Sequence, residues 1–511
     1  MNHWIILPVI LPAIVAPFIV LAARYHMGIQ RVFSIVGVLA LIAITATLAW
    51  DASDGTITLY QLGDWAAPFG IVLIADRLST MMVLLTSVLA FFVLLYSIGS
   101  GWDERGRHFH ALFQFQLMGI MGAFLTGDLF NLFVFFEVLL IASYGLMIHS
   151  GGNARLRAGV QYVLFNLLGS TLFLFALGSI YAEAGTLNMA DLAQRVQLID
   201  PAESVGIRVA AVLLLLVFAI KAALVPLHFW LPSSYAEAPA PVAALFAIMT
   251  KVGAYAIIRV YTLVFHPDLE VTAGLHALWL MPAALISLAI GNIGILAAKK
   301  LDRLVAFAVI GSMGMVMIAI SLFTIESIGA ALYYIVHSTL VAAALFLITD
   351  LVRAGRENLD LTAQPSIAGA PLTSALFFAA AIAMAGLPPL SGFIGKLLIL
   401  DAAFASVSMA WIWAVILIAS LISVIGFGRA GSTLFWKAKA LDQMTASPPP
   451  AALSYVAVGG LLALLVAHTV FAGQATAYAN ATAAQLFAPE PYISTVLDTP
   501  GKLSDAKDGG Y

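Results

Sequence analysis

No cysteine occurs among the 511 residues. Disulfides, cysteine-ligated zinc and iron–sulfur ligation within this chain are therefore excluded. Charge is scarce as well: Asp, Glu, Lys and Arg make up 10% of the chain, the net charge is −3, and no basic tract occurs. Such a chain has no electrostatic basis for binding nucleic acid. Also missing are a G-x-x-x-x-G-K-[ST] motif and a glycine-rich dinucleotide fingerprint behind a strand. Nucleotide-driven chemistry is thereby set aside, and no cofactor is expected.

What is abundant is apolar: 62% of residues are hydrophobic and the mean hydropathy is +1.03. Globular packing cannot hide that much apolar surface, so the solvent must be lipid. A spanning helix needs about 20 mostly apolar residues, and by that measure about 14 spans can be drawn. They fall at 4–23, 31–50, 76–98, 110–127, 129–149, 157–182, 207–229, 240–262, 274–297, 303–323, 326–350, 371–400, 409–430 and 452–473. The fold class read from this is an all-α polytopic membrane protein. The first run lacks a basic segment before it and is followed by Arg24, which reads as a retained helix rather than a cleaved signal.

The linkers alternate in charge. Those after spans 1, 3, 5, 9, 11 and 13 hold Arg24, Arg31, Arg105, Arg107, Arg155, Arg157, Lys299, Lys300, Arg303, Arg353, Arg356, Arg429, Lys437 and Lys439. The opposite side holds only Arg77, Arg195, Arg208, Arg259, Lys502 and Lys507. The positive-inside rule then places both termini outside the cytoplasm of a prokaryotic cell membrane. On the outer side the rule also puts a short acidic hairpin around DASDGTITLYQLGDW and a polar tail over 474–511. Asp350 and Arg353 close span 11 at the inner interface and are expected to pair there. Asp128 is expected to cap the helix of span 5.

Three basic residues remain well inside spans: Lys221, Lys251 and Lys396. A charge at the bilayer centre costs about 2.5–3.5 kcal/mol even on the lenient insertion scale. Pro226 follows Lys221 by five residues and breaks its helix, and Pro388 and Pro389 in MAGLPPLSGFIGKLLIL break another just before Lys396. Proline kinks serve packing in many membrane helices, but a lysine beside each of two such breaks points to a transport site built from a repeat. Glu137, mid-span in NLFVFFEVLLIASYG, has no charged neighbour on its own helix, and an ion pair with Lys221 is the expectation. His337 in LYYIVHSTLVAAALF is either a satisfied core histidine or a proton carrier, and its order among the spans, between Lys251 and Lys396, favours the carrier. His228 and Asp401 are weaker candidates, for an entrance or an exit. Neither a catalytic nor a metal-ligating set is found.

The run from Lys221 to Lys251, with PLHFWLPSSYAEAPAPVAALFA inside it, resembles the signature of the proton-conducting antiporter-like membrane subunits. These include complex I membrane-arm subunits, membrane hydrogenase subunits and the multisubunit Mrp (Pha, Mnh) cation/proton antiporters. The likeness covers roughly 70–430, and the wording WLPSSY, APAPVAALFAIMTKVG and SYG is most similar to the D-type subunits of the Mrp antiporters. The resemblance implies two inverted five-helix repeats, at 110–262 (helices 4–8) and 274–430 (helices 9–13), each with one discontinuous helix. Helices 1–3 (1–109), helix 14 (452–473) and the tail (474–511) flank them. It further implies that Glu137 and Lys221 act as a coupled pair and that Lys251, His337 and Lys396 continue a proton relay. Span 10 offers no carboxylate to match Glu137, so the partner of Lys396 is left to water, backbone or a neighbouring subunit.

By this likeness the chain works beside other subunits, a larger antiporter-like subunit and small membrane subunits among them, and exchanges protons for Na+ or K+. No cage of oxygen ligands for sodium is visible, so the cation path can lie in a partner. Two other readings remain: a proton-pumping subunit of a redox enzyme, and a non-conducting scaffold.

Overall fold

The computed structural model describes residues 3–356, 358–439 and 449–502. In hydrocarbon every backbone donor must be satisfied internally, and the chain meets that demand with helices almost throughout. From the N-terminus these are α1 (Leu7–Leu21), α2 (Met27–Asp51), α3 (Arg77–Gly99), α4 (Phe109–Leu125), α5 (Leu129–Met147), α6 (Asn153–Ala184) and a short α7 (Met189–Val196). The middle comprises α8 (Val205–Lys221), α9 (Trp230–Glu237), α10 (Ala240–Leu263), α11 (Leu275–Ala297), α12 (Leu301–Leu322) and α13 (Ile325–Arg353). Then come α14 (Ala370–Ala385), α15 (Ser391–Ala402), α16 (Met409–Gly431), a single turn α17 (Lys437–Lys439), α18 (Ala452–Val470), α19 (Ala472–Leu486) and α20 (Glu490–Leu497). Among the described residues ten helices are long and apolar enough to cross a membrane, with three shorter apolar ones beside them.

Each of the fourteen segments expected from hydropathy coincides with a helix or a broken pair. Span 7 stops at Lys221 and resumes as α9, and span 12 divides into α14 and α15 around the double proline. The acidic hairpin forms as two antiparallel strands, β1 (Thr58–Gln61) and β2 (Val72–Ala75), with Thr58 opposite Ala75. The expected polar tail is helical as far as Leu497, because its small residues give it a packing face: α19 lies against α13 and α3, and α20 against α7.

Burial orders the bundle. The spanning part of α10 is entirely buried and those of α12 and α13 nearly so, whereas two thirds or more of α2, α16 and α18 faces outward. A helix buried on all sides needs neighbours that can come close, and in membranes small residues provide this. In the α4–α5 hairpin a Cβ on Gly119 would lie 2.5 Å from the Leu139 backbone nitrogen. In the α11–α12 hairpin a Cβ on Gly314 would lie 2.4 Å from the Leu288 backbone nitrogen. Each of these two hairpins is thus cut close by a glycine, and a broken helix follows each of them in the chain.

Candidate functional site

The site begins where α8 ends. Pro226 has no donor to continue the ladder, and Lys221 is the last helical residue before the break. The carbonyl of Ile220 accepts from the Ala223 amide at 3.0 Å and also from the Trp230 indole at 3.1 Å, and Ser287 accepts from the Val225 amide at 2.9 Å. The break is therefore a closed structure rather than a frayed end. α10 presses on it through Gly253, where a Cβ would lie 2.8 Å from the Ala222 nitrogen.

Lys221 is buried, and its ammonium donates to Asn166 Oδ1 at 3.2 Å and lies over the Phe136 ring. Glu137 accepts from Ser170 on α6, whose hydroxyl also reaches the Asn166 carbonyl at 3.1 Å. The direct Glu137–Lys221 ion pair expected from the sequence is not formed. Asn166 and Ser170, one turn apart on α6, each hold one of the two charges, Asn166 through its side-chain oxygen and Ser170 through its hydroxyl, while Glu137 remains within electrostatic range of the ammonium.

Lys251 is 0% exposed in the middle of α10, and its Nζ has no hydrogen-bond partner among the described residues. His337 is equally buried on α13. Its Nδ1 lies 2.9 Å from Ser391 Oγ at the start of α15, and its Nε2 has no partner at hydrogen-bonding geometry among the described residues, with the Ala383 carbonyl a backbone acceptor acting on the ring. Gly392 makes this approach feasible, since a Cβ there would lie 2.7 Å from Nε2. Both Lys251 and Lys396 act electrostatically on His337.

Lys396 fills the second break. Its Nζ donates to the Ala385 carbonyl at 2.6 Å, one of those freed where α14 ends, and to Ser420 Oγ at 2.8 Å. Backbone and hydroxyl thus take the place of the missing carboxylate. A cavity of about 20 Å³ beside it, lined by Asn292, Ser312, Tyr334 and Ser423, has room for a single water. The elements carrying the four basic groups, α8, α10, α13 and α15, pack against one another in that order.

Comparison with known proteins bears on what such a line of groups belongs to. Residues 126–423, more than half the chain, match the family described as NADH:quinone oxidoreductase/Mrp antiporter, TM. The chain belongs to this family.

Among curated members, a D-type subunit of a probable K(+)/H(+) antiporter from Rhizobium meliloti (strain 1021) is 37% identical, with 98% of each chain covered. The D-type subunit of the Na(+)/H(+) antiporter of Alkalihalophilus pseudofirmus is 39% identical over 97% of this chain and 100% of its own. Of solved structures, a chain of the Mrp complex from Dietzia sp. DQ12-45-1b superposes with a TM-score of 0.89 at 26% identity, covering 97% of this chain and 100% of that one. A chain of an archaeal membrane-bound sulfane sulfur reductase follows at 0.87, also at 26% identity, with 96% and 99% covered.

Within this family fold several residues lie where the sequence did not put them. Arg259, assigned to an outer linker, is buried on α10 and makes a bidentate pair with Asp76, at 2.6 and 2.8 Å. Asp350 does not pair with Arg353; it accepts from Tyr96 and Trp102, and Arg353 turns instead to Asp302 at 3.3 Å. Asp128 caps α5 as expected, accepting from the Asn131 amide at 2.8 Å. Asp401 is exposed on α15, away from the buried line. His228 is buried in the first break, tilted against the Phe229 ring with the centroids 4.4 Å apart and close to the Pro226 backbone. Asn166, Ser170, Ser391 and Ser420 were missed. Their only signal in the sequence was a pair of lone polar residues four apart in VLFNLLGSTLF, and hydroxyls next to breaks.

Proposed function

We propose that this chain is the D-type subunit of a multisubunit Na+(K+)/H+ antiporter and moves protons along Lys221, Lys251, His337 and Lys396. The observation that carries the reading is the burial of four proton-carrying side chains on four successively packed helices. Two of their nitrogens, Lys251 Nζ and His337 Nε2, are free to exchange a proton. A scaffold has no use for such groups at this depth, where each costs free energy. Glu137 sets the first step. When Ser170 and Asn166 of α6 hold carboxylate and ammonium in register, Lys221 keeps its proton; when α6 shifts and that register is lost, the proton passes to Lys251. His337 receives it between Lys251 and Lys396, with Ser391 fixing the ring, and the second break provides acceptors for the last lysine.

The antiporter relatives support antiport over redox pumping, and the fold likeness to a respiratory complex keeps the second reading distinct. In the antiport reading, an inward proton gradient drives the cation out of a prokaryotic cell, with other subunits of the complex completing the path. The test uses everted membrane vesicles from a strain without its own antiporters that expresses the full subunit set. A pH-gradient dye is quenched by establishing the gradient, and Na+ or K+ is then added with no electron donor present. Dequenching that disappears with Lys396→Ala supports the proposal. A response only when an electron donor is oxidised supports the redox reading.

A further inference from the structure

We infer that a cavity at the arginine-rich end of the bundle binds a phosphate-bearing anion, in the form of the headgroup of an acidic phospholipid. The cavity measures about 550 Å³ and lies between the end of α3, the turn after it, the start of α6, the end of α13 and the start of α18. Three guanidinium groups line it, those of Arg105, Arg155 and Arg353, against one carboxylate, Asp350. Oδ2 of that carboxylate already accepts from Tyr96 at 3.0 Å and Trp102 at 2.8 Å.

The arginines have charge to spare. Arg105 lies on the face of Trp102, 3.8 Å from the ring centroid, and forms no ion pair among the described residues. Arg155 spends its donors on neutral acceptors, the carbonyls of Glu237, His149 and Gly151 and the Ser150 hydroxyl. Only Arg353 has an acidic contact, with Asp302, outside the cavity lining. The lining therefore has three guanidinium groups to one carboxylate, with Asp302 and Glu237 acting on Arg353 and Arg155 from outside it, and presents planar forks that match phosphate oxygens.

Two observations independent of the arginines point the same way. Ser454 is a buried lining residue whose Oγ, packed against Gly99 of α3, has no hydrogen-bond partner among the described residues, so a small rotation would give a ligand a donor. The 19-residue helix α18 begins at the cavity wall behind Ala451 with no side-chain cap, so the positive end of its dipole faces the same space. The source of the phosphate follows from what lies beside the mouth. Leu453 and Val456 of α18 are exposed apolar surface next to Ser454, a place for acyl chains with the headgroup turned inward. The arginine-rich end is also the one that the positive-inside rule assigns to the acidic inner leaflet.

The test takes the complete assembly in mild detergent, stripped of bulk lipid. It is titrated with phosphatidylglycerol, with phosphatidylcholine, and with sodium phosphate alone, and retention is read by native mass spectrometry together with thermal shift. Phosphatidylglycerol is expected to be retained over phosphatidylcholine, with Arg105→Gln lowering that retention about fivefold and Arg105→Lys, which keeps the charge but not the fork, restoring only part of it. Arg105 makes no hydrogen bond that the fold depends on, so loss of folding is not at issue. Stabilisation by sodium phosphate alone, dependent on Arg105 and not increased by the lipid, supports the phosphate site and assigns it a soluble source. If neither probe separates wild type from Arg105→Gln, the inference is overturned, and an acidic group of a neighbouring subunit occupying the cavity would be one such case.

Discussion

Lys221 donates to Asn166, 55 positions earlier in the chain, across the gap between two helices, and it is this amide rather than Glu137 that its ammonium touches. The carboxylate is held one turn away through Ser170. A lysine in contact with a carboxylate keeps its proton too firmly to pass it on; one held by a neutral amide can be tuned by small movements of α6.

Asn166→Leu keeps the volume and removes the Lys221 contact. A hydrogen bond to a charged group is worth about 1.5–3 kcal/mol, so cation-driven proton exchange in everted vesicles should fall roughly ten- to hundredfold. Assembly of the complex should be unchanged. Unaltered exchange would show that α6 has no part in the first step.

Asp76 and Arg259 form a buried pair that also holds the C-terminal helices. Tyr492 of α20 lies against the guanidinium, with the ring centroid 5.3 Å away, and the neighbouring Arg77 donates to the Ala481 carbonyl of α19 at 3.1 Å. Removing one partner of such a pair costs about 3–5 kcal/mol because the other charge is left buried. Arg259→Gln should therefore lower the melting temperature markedly and open the segment after α18 to limited proteolysis. Protection equal to wild type would mean that the tail is anchored elsewhere.

Asp103 sits in the turn between α3 and α4, outside the spans. Burial pushes its carboxyl up, but hydrogen bonds from His110 at 3.2 Å and Arg31 at 2.6 Å prevail and hold it below the ordinary carboxylate range. A depressed folded-state value contributes stability above the unfolded value of about 3.9, which is lost as pH falls through the folded one. Asp103→Asn should thus be less stable than wild type at neutral pH, with the gap closing below about pH 4. A gap that is constant down to pH 3 would contradict this account.

The hairpin contacts set by glycine leave no slack. Gly314→Val brings a branched side chain onto the backbone of α11 and should destabilise the fold by about 1–3 kcal/mol or more. The comparison is with Gly459→Val on α18, whose added Cβ meets nothing within 4 Å. Equal stability of the two variants would mean that α11 and α12 can move apart freely.

Much of this was legible in the sequence, and the reason is physical. Fourteen apolar runs and two proline breaks show up in composition alone, because lipid allows so few alternatives to a helix. Lys221, Lys251, His337 and Lys396 stood out because charge is expensive at that depth. Partners were harder to read. Nothing in the sequence distance between Glu137 and Lys221 shows that α6 lies between them, and Asn166 or Ser170 looks like any polar residue of a long helix. Arg259 was misplaced because a run of hydropathy ends near it; only the fold brings Asp76 to it from 183 positions away. The tail read as polar because small residues score low, although Ala479 and Ala483 are buried against neighbouring helices.

The central claim is that a proton must pass Lys251. The most direct test is passive proton flux through the complete assembly in proteoliposomes, under a potassium diffusion potential, with Lys251→Met compared with wild type. With assembly intact, the account predicts that flux falls to the level of empty liposomes, since the other titratable side chains of α10 are engaged elsewhere, Arg259 by Asp76 and Tyr255 and Tyr261 by the carbonyls of Phe124 and Ala211. Flux equal to wild type would place the proton route outside this line of residues.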